Sequence, residues 1–224
     1  MLQVVLLLVE KFILNQLNKM LKQEYKTDKY GKEILLQDNK HQVMMEWEKP
    51  YMEACIDKLQ PKGDVLEIGF GMGYSATQIQ KYKPKSHTII EMNPMVIKRL
   101  KKWAKDYDNI IIVQGTWQKE IHNLGTFDEI FFDDFPLKEP ENNLEKKLLT
   151  ERFPMFLDIC RFSHSKPNTK ISAYTHDPQK KFKKRIEENP YYSYEEYFMD
   201  INLPNNCNYY RDNKGIIPII RIIK

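Results

Sequence analysis

The residues most able to do chemistry cluster around glycine. Three of the chain's eight glycines fall within five positions, in the run Glu67-Ile68-Gly69-Phe70-Gly71-Met72-Gly73. Glycine lets a backbone turn tightly and approach a ligand closely. A plain strand-to-helix turn would need only one. The G-x-G-x-G spacing differs from the G-x-G-x-x-G of dinucleotide folds, and the Lys and Ser/Thr of a P-loop are missing. A nucleoside ligand without a pyrophosphate fits better. Glu91 follows Gly71 by 20 residues, the distance at which a strand-end carboxylate accepts hydrogen bonds from ribose hydroxyls. Gln114-Gly115-Thr116-Trp117 offers an aromatic ring just past another apolar run. Such a ring either stacks on an adenine or fills the core. Asp133-Asp134-Phe135-Pro136 places two carboxylates after Ile130-Phe131-Phe132. They read either as a polar strand terminus or as groups facing a cationic or amino substrate.

The elements that must position these residues alternate along the chain. Short apolar strands are expected at 64–70, 87–92, 109–114, 127–133 and 170–174. Helices are expected at 44–60, 74–82, 95–107, 142–163 and 179–188, with Asn93-Pro94 as N-cap and first helical residue. Alternating strands and helices imply right-handed crossovers and a doubly wound, mostly parallel α/β sheet with helices on both faces. Two last strands, 194–200 and 216–223, would add an antiparallel pair at one edge. Ligands in such a sheet bind at the carboxyl ends of the strands, where the four groups above fall. Residues 26–42 are polar, broken by Gly31, and read as an arm into the domain. The expected organisation is therefore an N-terminal helix and arm over 1–42 and one domain over 43–224.

Composition narrows the function further. The 224 residues carry a net charge of +4, too weak to argue for nucleic acid. Only six of the 35 basic residues are Arg, the side chain suited to bidentate phosphate reading. The run Lys180-Lys181-Phe182-Lys183-Lys184-Arg185 reads as a solvated helix face. Cys55, Cys160 and Cys207 are distant from one another and form no CxxC pair. They read as reduced thiols of a cytoplasmic protein. No apolar run is long enough for a membrane helix. The first 21 residues repeat apolar positions at spacings of three and four, with no basic start or cleavage site. That face would pack on the domain or on a second copy of the chain in a homodimer. No cluster of side chains argues for a metal.

Taken together, these motifs resemble the class I S-adenosylmethionine-dependent methyltransferases, and guanidinoacetate N-methyltransferases in particular. Met44-Met45-Glu46-Trp47-Glu48-Lys49-Pro50-Tyr51-Met52 is similar to that family's segment before the first strand. Leu66–Met72, Ile89-Ile90-Glu91-Met92-Asn93, Gly115-Thr116-Trp117 and Asp133–Pro136 follow in the family's order. Leu203-Pro204 and Cys207-Asn208-Tyr209-Tyr210 resemble its C-terminal stretch. The string Met44–Glu48 is also similar to fungal and plant protein-arginine methyltransferases acting on the internal guanidino nitrogen. The resemblance implies S-adenosylmethionine as cofactor, with Gly69, Phe70, Gly71, Met72, Gly73 and Tyr74 wrapping its methionine and ribose. It implies Glu91, with Met92 and Asn93, at the ribose hydroxyls, and Thr116 and Trp117 at the adenine. Met44 and Met52 would line the pocket, and Asp133 would border both cofactor and substrate.

The resemblance also implies that Glu48 and Asp133 are catalytic and grip a guanidinium, with Asp134 nearby. A guanidinium is always protonated near neutrality, and the sulfonium it must meet is cationic too. Two carboxylates offset that repulsion and bind the guanidinium through paired hydrogen bonds. They orient one nitrogen toward the methyl, and Asp133 can accept the released proton. The expected reaction converts guanidinoacetate to creatine, with protein arginine as the alternative substrate. In the small-substrate enzymes a Leu-Thr-Ser-like turn after the fifth strand holds the substrate carboxylate. Here that turn is Tyr174-Thr175-His176-Asp177-Pro178, with Thr175 and His176 as the available donors. A nucleic-acid amino-methyltransferase would carry Asp/Asn-Pro-Pro-Phe/Tyr where this chain has Asp133–Pro136. An inactive binding module would have no chemical need for Glu48, Glu91 and Asp133.

Overall fold

A computed structural model describes residues 22–134, 143–175 and 181–223 of the chain. Its centre is a seven-stranded sheet built from β4 (Asp64–Ile68), β5 (Ser86–Glu91), β6 (Ile110–Gln114), β7 (Phe127–Phe132), β8 (Ser165–Ala173), β9 (Tyr192–Asp200) and β10 (Lys214–Ile222), in the order β6-β5-β4-β7-β8-β10-β9. The five strands β4 to β8 are parallel to one another. β10 runs antiparallel to both β8 and β9, the edge pair expected from the sequence. This is the doubly wound α/β sheet, and its strand order reverses between β4 and β7.

Alternation along the strands builds two cores. Val65, Ile89, Phe131, Ile217 and Ile219 face one layer. There they meet helices α1 (Lys49–Leu59), α2 (Tyr74–Lys81) and α3 (Pro94–Trp103) through Tyr51, Met52, Ile56, Ala76, Ile79, Val96 and Leu100. Leu66, Ile68, Ile90, Ile130, Phe132, Ile171 and Ile220 face the other. They pack on Trp117 and Ile121 at the short helix α4 (Trp117–Glu120), on Phe156 and Leu157 of α5 (Asn143–Ile159), and on Ile186 of α6 (Lys181–Glu187). Side chains at successive strand positions point to opposite faces, so residues such as Val65 and Leu66 serve different layers.

Three places depart from the sequence reading. The stretch read as an arm is largely a three-stranded antiparallel meander of β1 (Gln23–Thr27), β2 (Glu33–Gln37) and β3 (His41–Met45). Its first turn is closed by Asp28, whose side chain accepts from the N–H groups of Tyr30 and Lys32. Its second turn holds Asp38 and Asn39 at φ +53° and +58°, the left-handed pair a tight hairpin requires. Helix α1 starts five residues later than expected, because Met44 and Met45 end β3 and Glu46–Glu48 form a single 3-10 turn. Pro50 then sits in the first turn of α1, where its missing N–H costs nothing. β8 begins at Ser165, directly after a π-helical turn over Cys160–His164 that ends α5. The N-terminal helix expected within residues 1–21, and a dimer formed through it, lie outside the described residues.

Candidate functional site

The loop after β4 is held from every side. Gly69, Gly71 and Gly73 all adopt positive φ, at +82°, +51° and +77°. A Cβ on Gly69 would lie 2.2 Å from the Asp133 carbonyl oxygen, and one on Gly71 2.8 Å from the Met44 sulfur. Both positions therefore need glycine for space as well as for conformation. The Gly69 N–H donates to the Ile90 carbonyl, and the Asp133 N–H to the Ile68 carbonyl. These bonds bring the ends of β4, β5 and β7 together.

Glu91 sits at the centre of this arrangement. Its buried carboxylate accepts from the Phe70 N–H at 3.0 Å, the Met92 N–H at 2.8 Å and the Asn93 N–H at 2.7 Å. Burial pushes its pKa up, and these backbone donors act in the opposite direction. Asn93 caps α3 as expected, accepting from the Met95 and Val96 N–H groups. On the meander side, Met44 accepts at its sulfur from the Met72 N–H, 3.4 Å away. Met52 is fully buried in the same core cluster as Met44, Phe70 and Met72. Tyr74 opens α2 and is partly buried; burial, then Glu33 and Glu46, raise its pKa.

A cavity of about 450 Å³ opens beside the ends of β5 and β6, lined by Met92, Pro94, Ile97, Gln114 and Gly115. Thr116 is buried next to it, and its hydroxyl has no hydrogen-bond partner among the described residues. A buried hydroxyl left unpaired is costly, which suits a site completed by a polar ligand. The glycine cradle, the Glu91 carboxylate and this hydroxyl together fit an adenosyl group.

The substrate side is carboxylate and tyrosine. Glu48 is 3% exposed. Its Oε1 accepts from the Met45 N–H at 2.8 Å and from the Tyr209 hydroxyl. Burial lifts its pKa from the usual 4.5 to about 7 against the pull of those donors. Tyr174 brings a buried hydroxyl toward Glu48 that has no partner in good hydrogen-bond geometry among the described residues. Asp133 is only partly covered at its surface. Burial of its carboxyl, followed by repulsion from Glu48, Glu67, Asp134 and Glu91, still pushes its pKa well above the usual range. Among the described residues its side chain accepts no hydrogen bond. Deeper in the sheet, Glu67 and His87 form a fully buried pair at 2.9 Å. Glu48, raised by burial, and Asp133, raised by burial and then by like charge, make a site prepared for a cation.

Other expected residues have different neighbours. Trp117 is buried edge-on between Phe132 and Phe156, and its indole N–H donates to Asp134 at 2.5 Å. Asp134 also pairs with Arg152. Its carboxylate is thus committed to a cation and an indole within the second core layer. The Thr175 carbonyl accepts from the Tyr51 hydroxyl at 3.3 Å. His176 lies outside the described residues. The sequence motifs contain Tyr209 and Tyr174 but assign them no role, and Tyr25 lies between the N-terminal helix and the arm read at 26–42. Within the basic run, Lys183 pairs with Glu196 and Glu187, Lys184 with Glu188, and Arg185 with Glu151. Among the described residues no helix is long and apolar enough to cross a membrane.

Residues 18–153, more than half of the chain, match the family model described as guanidinoacetate N-methyltransferase. The chain belongs to that family. The glycine cradle and Glu91 at the strand ends fit S-adenosylmethionine as its cofactor. Among curated proteins it is similar to protein arginine N-methyltransferase 2 of Saccharomyces cerevisiae, 39% identical over 118 residues, 49% of this chain. The Candida glabrata protein of the same name is 40% identical over 113 residues, 47% of this chain. Each match covers 27% of the relative's own length, so the chain corresponds to about a quarter of these relatives. Solved structures share the fold. A spermidine synthase from Thermotoga maritima superposes with a TM-score of 0.63 at 17% identity, over 89% of this chain and 68% of that one. An O-methyltransferase from Bacillus cereus, solved with SAH, gives 0.55 at 14% identity, over 80% and 82%.

Proposed function

We propose that this chain transfers a methyl group from S-adenosylmethionine to a nitrogen of a guanidino group, held between Glu48 and Asp133. The observation that carries this reading is a pair of carboxyls beside the glycine loop, a buried Glu48 and an Asp133 that packs against Gly69 and whose side chain accepts no hydrogen bond among the described residues. Gly69–Tyr74, Glu91 and Thr116 would hold the cofactor, whose sulfonium supplies the electrophilic methyl. A guanidinium entering the site replaces the missing counter-charge of both carboxyls. Each can accept two N–H groups from the planar fork. The Oε1 atom of Glu48 already accepts from Met45 and Tyr209, which leaves Oε2 as the acceptor available to the substrate. When the nitrogen gains its methyl it must lose a proton, and Asp133, with its raised pKa, takes it.

The substrate we favour is an arginine side chain within a polypeptide. The support is the name of the two fungal relatives, protein arginine N-methyltransferase 2. The second reading, guanidinoacetate, is favoured by the description of the matching family model. Offering arginine-containing peptides and guanidinoacetate in parallel tests the choice. Peptide turnover with guanidinoacetate inert supports the first reading; the reverse pattern replaces it with the second.

A further inference from the structure

The β1–β3 meander touches the glycine loop through two side chains. Met44 receives the Met72 N–H, and the Tyr25 hydroxyl donates to the Gly71 carbonyl at 2.7 Å. Gly71 is the loop residue whose backbone is left-handed at φ +51° between two others of the same kind. A run of three such residues has little intrinsic preference for its shape, so outside contacts must fix it. Tyr25 is itself fixed. The Arg99 guanidinium lies over its ring at 4.5 Å, and both Arg99 terminal nitrogens fork onto Glu33 of β2, at 2.5 and 3.0 Å. Glu33, Arg99 and Tyr25 thus link β2, α3 and β1 in one chain of contacts ending on the loop. Burial raises the Tyr25 hydroxyl above its usual pKa, so it remains a donor at any working pH. The opposite side of the same loop donates its Phe70 N–H to Glu91.

We propose that the meander is a clamp on the cofactor loop, with Tyr25 as the positioning residue that fixes the Gly71 peptide and Arg99–Glu33 as the brace that holds Tyr25. The loop is then preformed before the cofactor arrives. A preorganised loop binds more tightly because its ordering cost is already met. The inference rests on S-adenosylmethionine as cofactor and is independent of which guanidine is methylated.

The test is binding of S-adenosylmethionine and S-adenosylhomocysteine by calorimetry, with dissociation rates and amide exchange of residues 69–73 in the ligand-free protein. Tyr25→Phe removes a single oxygen. It should weaken affinity about threefold to tenfold, the range of one lost hydrogen bond, with the change in the dissociation rate. The Gly71–Gly73 amides should exchange faster. Arg99→Lys breaks the fork but keeps the charge, and should act in the same direction to a smaller extent. Tyr30→Phe, at a ring 51% exposed on the same meander, should change nothing. Unchanged affinity and exchange in Tyr25→Phe would overturn the clamp, as would a loss of thermal stability without a loss of affinity. No binding by the unaltered chain would instead sink the cofactor assignment itself.

Discussion

Replacing Glu48 by glutamine should make the protein more stable at alkaline pH while abolishing its activity. The carboxyl is 3% exposed, and its pKa rises from 4.5 to about 7 on folding. The native state therefore holds a proton there that the unfolded chain releases. The stability this group lends is complete below pH 4.5 and is lost as pH climbs through 7. One pKa unit corresponds to 1.36 kcal/mol, so the anion costs the folded state about 3 kcal/mol in full. Between pH 5.5 and 8.5 the native group loses its proton over about 1.5 units, which is roughly 2 kcal/mol. Glutamine keeps an oxygen for the Met45 N–H and the Tyr209 hydroxyl but never ionises. The assay is urea unfolding of both proteins at the two pH values. The stability of Glu48→Gln relative to the unaltered protein should rise by about 2 kcal/mol on going from the lower to the higher pH. The same comparison in an Asp133→Asn background removes the neighbouring carboxyl from the ledger. A difference that does not vary with pH would refute the reasoning, because an unperturbed carboxylate is already ionised at both values.

Further outcomes follow from the same contacts. The acidic limb of kcat/KM for the guanidino substrate should fall near pH 7, where Glu48 ionises. Tyr209→Phe removes a donor that favours the anion, so that limb should move to higher pH in a full pH–rate profile. Asp133→Asn should bind S-adenosylmethionine normally in calorimetry yet lose at least about 100-fold in turnover, the scale of a lost acid–base group. Gly69→Ala forces a Cβ to within 2.2 Å of the Asp133 carbonyl at φ +82°. It should cost more than about 2 kcal/mol in chemical denaturation, since left-handed backbone alone costs 1–2 kcal/mol. Trp117→Phe leaves Asp134 to Arg152 alone and should cost about 1–3 kcal/mol, with the cofactor Kd as a check on any direct adenine contact.

What could be read from the sequence was local. The glycine spacing, the Asn93-Pro94 cap and the apolar runs of β4, β5 and β7 each carry their signal within a few residues. The sheet order then follows from handedness, and the strand ends locate Glu91 and Asp133. The meander escaped because its strands are five residues long and carry Gln, Glu and Lys among the apolar positions, while Ile34 and Leu35 are buried only through pairing and packing from elsewhere. Tyr25 and Tyr209 escaped for the same reason. Their key bonds join positions 46 and 161 residues apart, and no periodicity reports such a contact. Trp117 shows the limit from the other side: a ring beyond a strand end suits a ligand or a core equally, and its setting depends on Phe156 and Arg152, contributed by a distant helix.

The central claim is methyl transfer to a guanidino nitrogen gripped by Glu48 and Asp133. The most direct measurement uses radiolabelled S-adenosylmethionine with arginine-containing peptides, guanidinoacetate and a nucleic-acid substrate in parallel, and Asp133→Asn beside the unaltered protein. The account predicts label on a guanidino nitrogen alone, and its loss in Asp133→Asn at saturating cofactor. Label on a nucleic-acid amine, or transfer undiminished in Asp133→Asn, would contradict it.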